Sequence, residues 1–89
     1  MSRLFPLGRL LATPGVLEEV SPEELASGLG RHARGDWGTV CQDDREANDH
    51  AIHTDRRILS AYCTARGKKF WIITEADRSS TTVLLPAEY

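Results

Sequence analysis

Phe70-Trp71-Ile72-Ile73-Thr74 is the stretch that decides the fold. Every residue in it is aromatic or β-branched, and its apolar side chains fall on both faces of an extended chain. Such a run suits a central strand covered on both sides, or on one side plus a partner. Upstream, Ile58-Leu59-Ser60-Ala61-Tyr62-Cys63-Thr64 reads with a period of two as a second strand, and Arg66-Gly67-Lys68 as the tight turn between them. Downstream, Asp77-Arg78-Ser79-Ser80 makes the next turn and Thr81-Thr82-Val83-Leu84-Leu85 the last strand, stopped by Pro86. Strands this close in sequence most economically form an antiparallel meander.

Further upstream the period changes to that of a helix. In Val20-Ser21-Pro22-Glu23-Glu24-Leu25, Ser21 is the N-cap, Pro22 the first helical residue, and Glu24 closes a capping box. Val20 and Leu25 can staple the helix start, and the two glutamates suit the positive end of the dipole. Leu25, Leu29 and Ala33 then form one apolar stripe, and Gly35 ends the helix. Gly28 and Gly30 each weaken it by about 1 kcal/mol relative to Ala, so packing must hold it. A second helix is expected from Asp43 to His53, with only Ala47, Ala51 and Ile52 to bury. Arg9-Leu10-Leu11-Ala12 reads as a short strand after an irregular lead-in over Met1–Leu7, and Thr13 as the cap of a single helical turn through Leu17. The expectation is one α+β domain spanning 1–89, with two N-terminal helices packed on a three- to four-stranded, mainly antiparallel sheet.

Composition narrows the function classes. Thirteen acidic against eleven basic residues give a formal charge of −2, too balanced for an obvious nucleic-acid binder or a DNA mimic. No apolar run approaches a membrane span and no leader is discernible, so a cytoplasmic protein without membrane contact is expected. Cys41 and Cys63 form no CxxC and lack paired histidines, which points to two unrelated reduced thiols, Cys63 as a small core hydrophobe. No four-ligand zinc pattern is present, and no cofactor is expected.

Several residues carry chemistry worth weighing. His32 falls about 20° from Leu25 on the helical wheel, where it serves either as a general base facing the sheet or as a packed structural histidine. His50 and His53, with Glu46 and Asp49 four residues before one or the other, suggest a metal patch or simply a solvated face of i,i+4 pairs. The hydroxyls of Ser60, Tyr62, Thr74, Thr81 and Thr82, taken with His32 and Arg78, offer the residue types of a small metal-independent ribonuclease. In that reading His32, Tyr62 and Arg78 are the catalytic set, yet no spacing ties them together, and Thr and Tyr are simply good strand residues. Arg66, Lys68 and Lys69, beside Phe70 and Trp71, form either a nucleic-acid-gripping hairpin tip or solubilising turn charges. Trp37, in a Gly-bounded loop, is a core plug or a partner anchor, with the core favoured in so small a domain.

The segments Arg31-His32-Ala33-Arg34-Gly35-Asp36-Trp37-Gly38, Asn48 with Arg57-Ile58-Leu59-Ser60-Ala61-Tyr62, and Trp71 through Ser79 followed by Thr81–Pro86 and Glu88-Tyr89 resemble a family of small bacterial proteins. Its members are found on plasmids, integrated elements and prophages, sometimes under a restriction-modification label. The resemblance runs from about Leu7 to Tyr89, with Cys41 standing where the family tends to carry a polar cap. It implies a mobile-element setting and brings no activity and no catalytic residue.

Together these readings favour a non-enzymatic accessory protein acting through a protein partner or a homodimer, with Trp37, Trp71 and Ile73 as contact residues. The alternatives are a ribonuclease or toxin-like domain and a nucleic-acid-binding regulator. A poorly covered sheet face around Trp71, Ile73 and Leu84 would be the interface.

Overall fold

In the computed structural model, which describes residues 3–89, four strands form one sheet in the order β1-β4-β3-β2. They are β1 (Arg9–Ala12), β2 (Ile58–Cys63), β3 (Lys69–Thr74) and β4 (Ser80–Leu84). The three C-terminal strands form the expected antiparallel meander, with Trp71 opposite Ala61 on one side and Leu84 on the other. The sheet as a whole is mixed, because β1 joins parallel to β4. Helices between the first strand and the rest bring the chain back in the same direction, and this is the departure from a purely antiparallel sheet.

Three helices lie between β1 and β2: α1 (Pro14–Glu19), α2 (Pro22–Ala33) and α3 (Gln42–Ala51). α1 extends past the single turn expected through Leu17, with Thr13 Oγ1 accepting from Val16 N–H. α2 starts at its expected cap, where Ser21 Oγ accepts from Glu24 N–H at 3.2 Å. The capping box is only half formed. Glu24 Oε2 instead accepts from Ala65 N–H at 2.9 Å, tying the helix start to the β2–β3 turn. At the other end Asp36 N–H bonds Arg31 O and Gly35 N–H bonds His32 O, the paired reverse bonds that close a helix on a C′ glycine.

α3 begins at Gln42 and ends at Ala51, two residues short of the expected His53, because Ile52 to Thr54 leave through turns. Its buried residues are Asn48 and Ala51, while Ala47 is exposed. Cys63 is exposed too, not a core residue, because it stands at the end of β2 on the side away from the helices.

The core lies on one face of the sheet in two clusters. Val16, Val20, Tyr62, Phe70, Ile72 and Val83 form one, with Leu25 and Leu29 of α2 against it. Phe5, Leu7, Ala33, Trp37, Ala51 and Ile58 form the other. Phe5 and Leu7 belong to the lead-in, read from sequence as irregular and given no core role; its first two residues lie outside the described ones. Gly28 has a reason to be glycine in mid-helix. A Cβ there would meet the Phe70 ring at 2.9 Å, so its absence lets α2 sit down on β3.

Candidate functional site

The residues offered for catalysis do not converge on a surface. His32 is fully buried, with Nδ1 bonded to Ser60 Oγ and Nε2 to Thr74 Oγ1 at 2.9 Å. Thr74 Oγ1 meets Thr81 Oγ1 at 2.7 Å, and Thr81 donates to Leu7 O. The hydroxyls of Ser60, Thr74 and Thr81 are thus spent inside the core while Thr82 lies on the opposite face, and burial lowers the His32 pKa to about 4. Tyr62 is buried as well and donates to Asp36 O at 2.6 Å; burial pushes its pKa up to about 12. The Arg78 guanidinium donates to the carbonyls of Ala51, Arg56, Glu75 and Ala76, clamping the end of α3 to the β3–β4 turn. These three residues are held by separate structural bonds.

Other candidates are placed as follows. His50 and His53 are exposed, and among the described residues no group of three His, Cys, Asp or Glu could hold a metal ion. Asp49, expected beside them, accepts the Trp37 indole N–H at 2.9 Å. Trp37 is 1% exposed and packs beside Phe5 and His32, so it is a core plug and presents nothing to a partner. Arg66, Lys68 and Lys69 stand exposed around the β2–β3 turn, with Lys68 Nζ 3.9 Å from Glu19. Phe70 points into the core and is no stacking platform for that tip.

What distinguishes the surface is the contrast between the two sheet edges. The β2 edge is closed by side chain and loop. Leu59 N–H donates to Asn48 Oδ1 at 3.3 Å and Leu59 C=O accepts from Asn48 Nδ2 at 2.8 Å, so one carboxamide imitates a strand residue. Two positions along, Ala61 N–H bonds Trp37 O at 3.1 Å and Ala61 C=O accepts from Thr39 N–H at 2.8 Å. Gly38 makes that approach with φ +77°, and a Cβ there would fall 1.9 Å from Ala61 O.

The β1 edge is open. Arg9 N–H bonds Ser79 O and Thr13 N–H bonds Val83 O, so alternate residues of β1 face β4. Leu10 and Ala12 therefore turn their N–H and C=O groups outward. All four residues of β1 are exposed, with Leu10 at 56% and Leu11 at 42%. On the helix side of this edge runs a groove of about 470 Å³ between β1 and α2. Leu7, Leu10, Leu29 and Ala33 are among its walls, Arg3 and Arg34 also line it, and no carboxylate does.

On the helix-free face, register places Leu11, Thr82, Ile73 and Leu59 in one row and Leu84, Trp71 and Ala61 in the next. Ile73 and Leu84 are buried within this face at 4% and 5% exposure, Ile73 between Leu59 and Thr82 and Leu84 beside Trp71. Neither is open in the way expected for a patch. Trp71 is half-buried, its ring 5.8 Å from that of Tyr89, and Arg57 donates to the Tyr89 hydroxyl. Tyr89 therefore roofs part of the face through a 3₁₀ turn at Pro86–Glu88, itself anchored by the Glu88 carboxylate on Thr13 Oγ1 and Gly15 N–H.

The sequence marks β1 as a strand but not as an open edge. Its signal is the pair Leu10-Leu11 in a four-residue strand that also carries Arg9. No helix of the described residues is long and apolar enough to cross a membrane. No family model, curated protein or solved structure matches the chain.

Proposed function

We propose that this protein is a non-enzymatic accessory module of a mobile genetic element, acting by binding a protein partner. The mobile-element setting rests on the sequence resemblance. The binding role rests on one observation: the sheet is sealed at β2 by Asn48 and the Trp37–Thr39 loop, yet left unpaired at β1 with two leucines exposed. Proteins ordinarily blunt an exposed edge with charges, Pro or a covering segment. The β1 edge is short and carries Arg9, yet it leaves two leucines exposed, and a chain that closes its other edge with several specific bonds offers this one to a partner. The candidate ribonuclease residues support no rival site, since His32 and Tyr62 are buried and the Arg78 guanidinium is engaged by main-chain carbonyls.

The test is reconstitution. Proteins captured from the native host after nuclease treatment are purified singly and titrated against the chain. One of them is expected to form a stoichiometric complex with the pure protein, and a mixed RNA substrate is expected to survive incubation intact. Retention of nucleic acid alone, or RNA cleavage lost in His32→Gln, would defeat the reading.

A further inference from the structure

Resting on that reading, we infer that the partner supplies an extended segment bearing an apolar and an acidic side chain, which adds to β1 as a fifth strand. The backbone sets the first requirement. Leu10 and Ala12 present two N–H and two C=O groups in a row along the edge, a pattern that an added extended chain matches in full. Side chains of an added strand alternate, so those on the helix side fall over the groove between β1 and α2. Leu7, Leu10, Leu29 and Ala33 offer that groove's apolar contact.

Charge sets the second requirement. Arg3 and Arg34 line the groove, Arg9 opens the strand, and neither arginine of the groove forms an ion pair among the described residues. The chain is net acidic, yet this edge is basic. A carboxylate two residues from the apolar anchor would lie on the same side of the added strand, within reach of Arg34 or Arg3. A second copy of this chain meets these requirements badly. Antiparallel self-pairing centred on Leu11 would set Ala12 opposite Leu10, leaving the groove with a methyl group and no carboxylate.

The experiment selects peptides from a displayed random library on the full chain and measures synthetic versions by fluorescence anisotropy. The enriched peptides are expected to alternate apolar residues with Asp or Glu. Ala12→Pro removes an outward N–H while leaving the bonds to β4, and proline is tolerated at such edge positions. It should weaken binding at least tenfold with the circular dichroism spectrum unchanged. Arg34→Glu should weaken the acidic peptide similarly and favour its Lys-substituted counterpart. Enrichment of basic or helix-forming peptides, or binding indifferent to Ala12→Pro, would overturn the inference. So would a wild-type dimer in sedimentation that Ala12→Pro dissolves, since the edge would then belong to a second copy. If a reconstituted partner is displaced by Trp71→Ser but not by Ala12→Pro, this inference falls while the protein-binding function stands.

Discussion

His32 Nε2 stands 2.9 Å from Thr74 Oγ1, and that contact fixes the ring's tautomer. Thr81 commits its only hydroxyl proton to Leu7 O, so Thr74 must donate to Thr81 and accept from His32. Nε2 therefore carries the ring proton, and Nδ1 accepts from Ser60 Oγ. Phe5 and Trp37 enclose the ring on its other sides, and neither can stabilise a second proton as a carboxylate would.

This burial makes stability depend on pH. His32 is neutral in the fold down to about pH 4, whereas in the unfolded chain it protonates near 6.5. Between those values the unfolded state holds more protons, so stability is full above 6.5 and falls as pH drops toward 4, by roughly 3 kcal/mol in all. Asp36 and Glu88 are held below the usual carboxylate range, by the Arg31 guanidinium and the Thr13 hydroxyl respectively, so their contributions fade at lower pH. The window from pH 5 to 6.5 therefore isolates His32. Urea midpoints should drop across it in the wild type, and His32→Gln should flatten that slope. Equal slopes in both proteins would show that the ring is not held neutral.

The helix start is open to a direct test. Ser21→Ala removes the acceptor of Glu24 N–H and should cost about 1 kcal/mol in urea melts. Ser79→Ala, on an exposed turn residue that keeps its main-chain bonds to Asp77 and Arg9 and caps no helix, should cost far less. Matching losses would remove the N-cap from the account.

Much of this architecture is legible in the sequence, because the deciding signals are local. Ser21-Pro22 and Gly35 bracket α2, and the Phe70–Thr74 run marks the central strand. Where the reading failed, the cause is tertiary. Ala47 reads as a residue to bury and Asn48 carries no apolar signal, yet the fold buries Asn48 and exposes Ala47, because the choice between them depends on where β2 lies. Phe5 and Leu7 enter the core by clustering with Ala33, Trp37 and Ile58, all distant in sequence. Tyr89 reaches Trp71 by the same kind of long-range closure. The open edge at β1 is defined by what fails to pair with it, and no local spacing encodes that.

The two mid-helix glycines of α2 should respond with opposite signs. At Gly28 an added Cβ would stand 2.9 Å from the Phe70 ring in a packed core, so Gly28→Ala should destabilise by about 1 kcal/mol despite the gain in helix propensity. At Gly30 the nearest atom is Arg34 Nη1 at 3.3 Å, the free end of a flexible side chain. Gly30→Ala should stabilise by up to about 1 kcal/mol. Thermal unfolding of both variants decides the matter, and a gain at Gly28 would show that α2 does not depend on close approach to β3.

Asn48→Ala should cost more than its position on an acidic, largely exposed helix suggests. The substitution strips both partners from Leu59, leaving an N–H and a C=O on the half-buried edge of β2, at roughly 1–3 kcal/mol. It also converts a sealed edge into an open one, so concentration-dependent association should appear alongside the loss of stability. Asn48→Asp keeps the acceptor for Leu59 N–H but sets a carboxylate against Leu59 C=O, and should be destabilising as well. Urea titrations give the first effect and sedimentation velocity the second. If Asn48→Ala stayed monomeric and lost under about 0.5 kcal/mol, the Trp37–Thr39 loop alone would be closing β2. The argument that this chain guards one edge in order to offer the other would then lose half of its support.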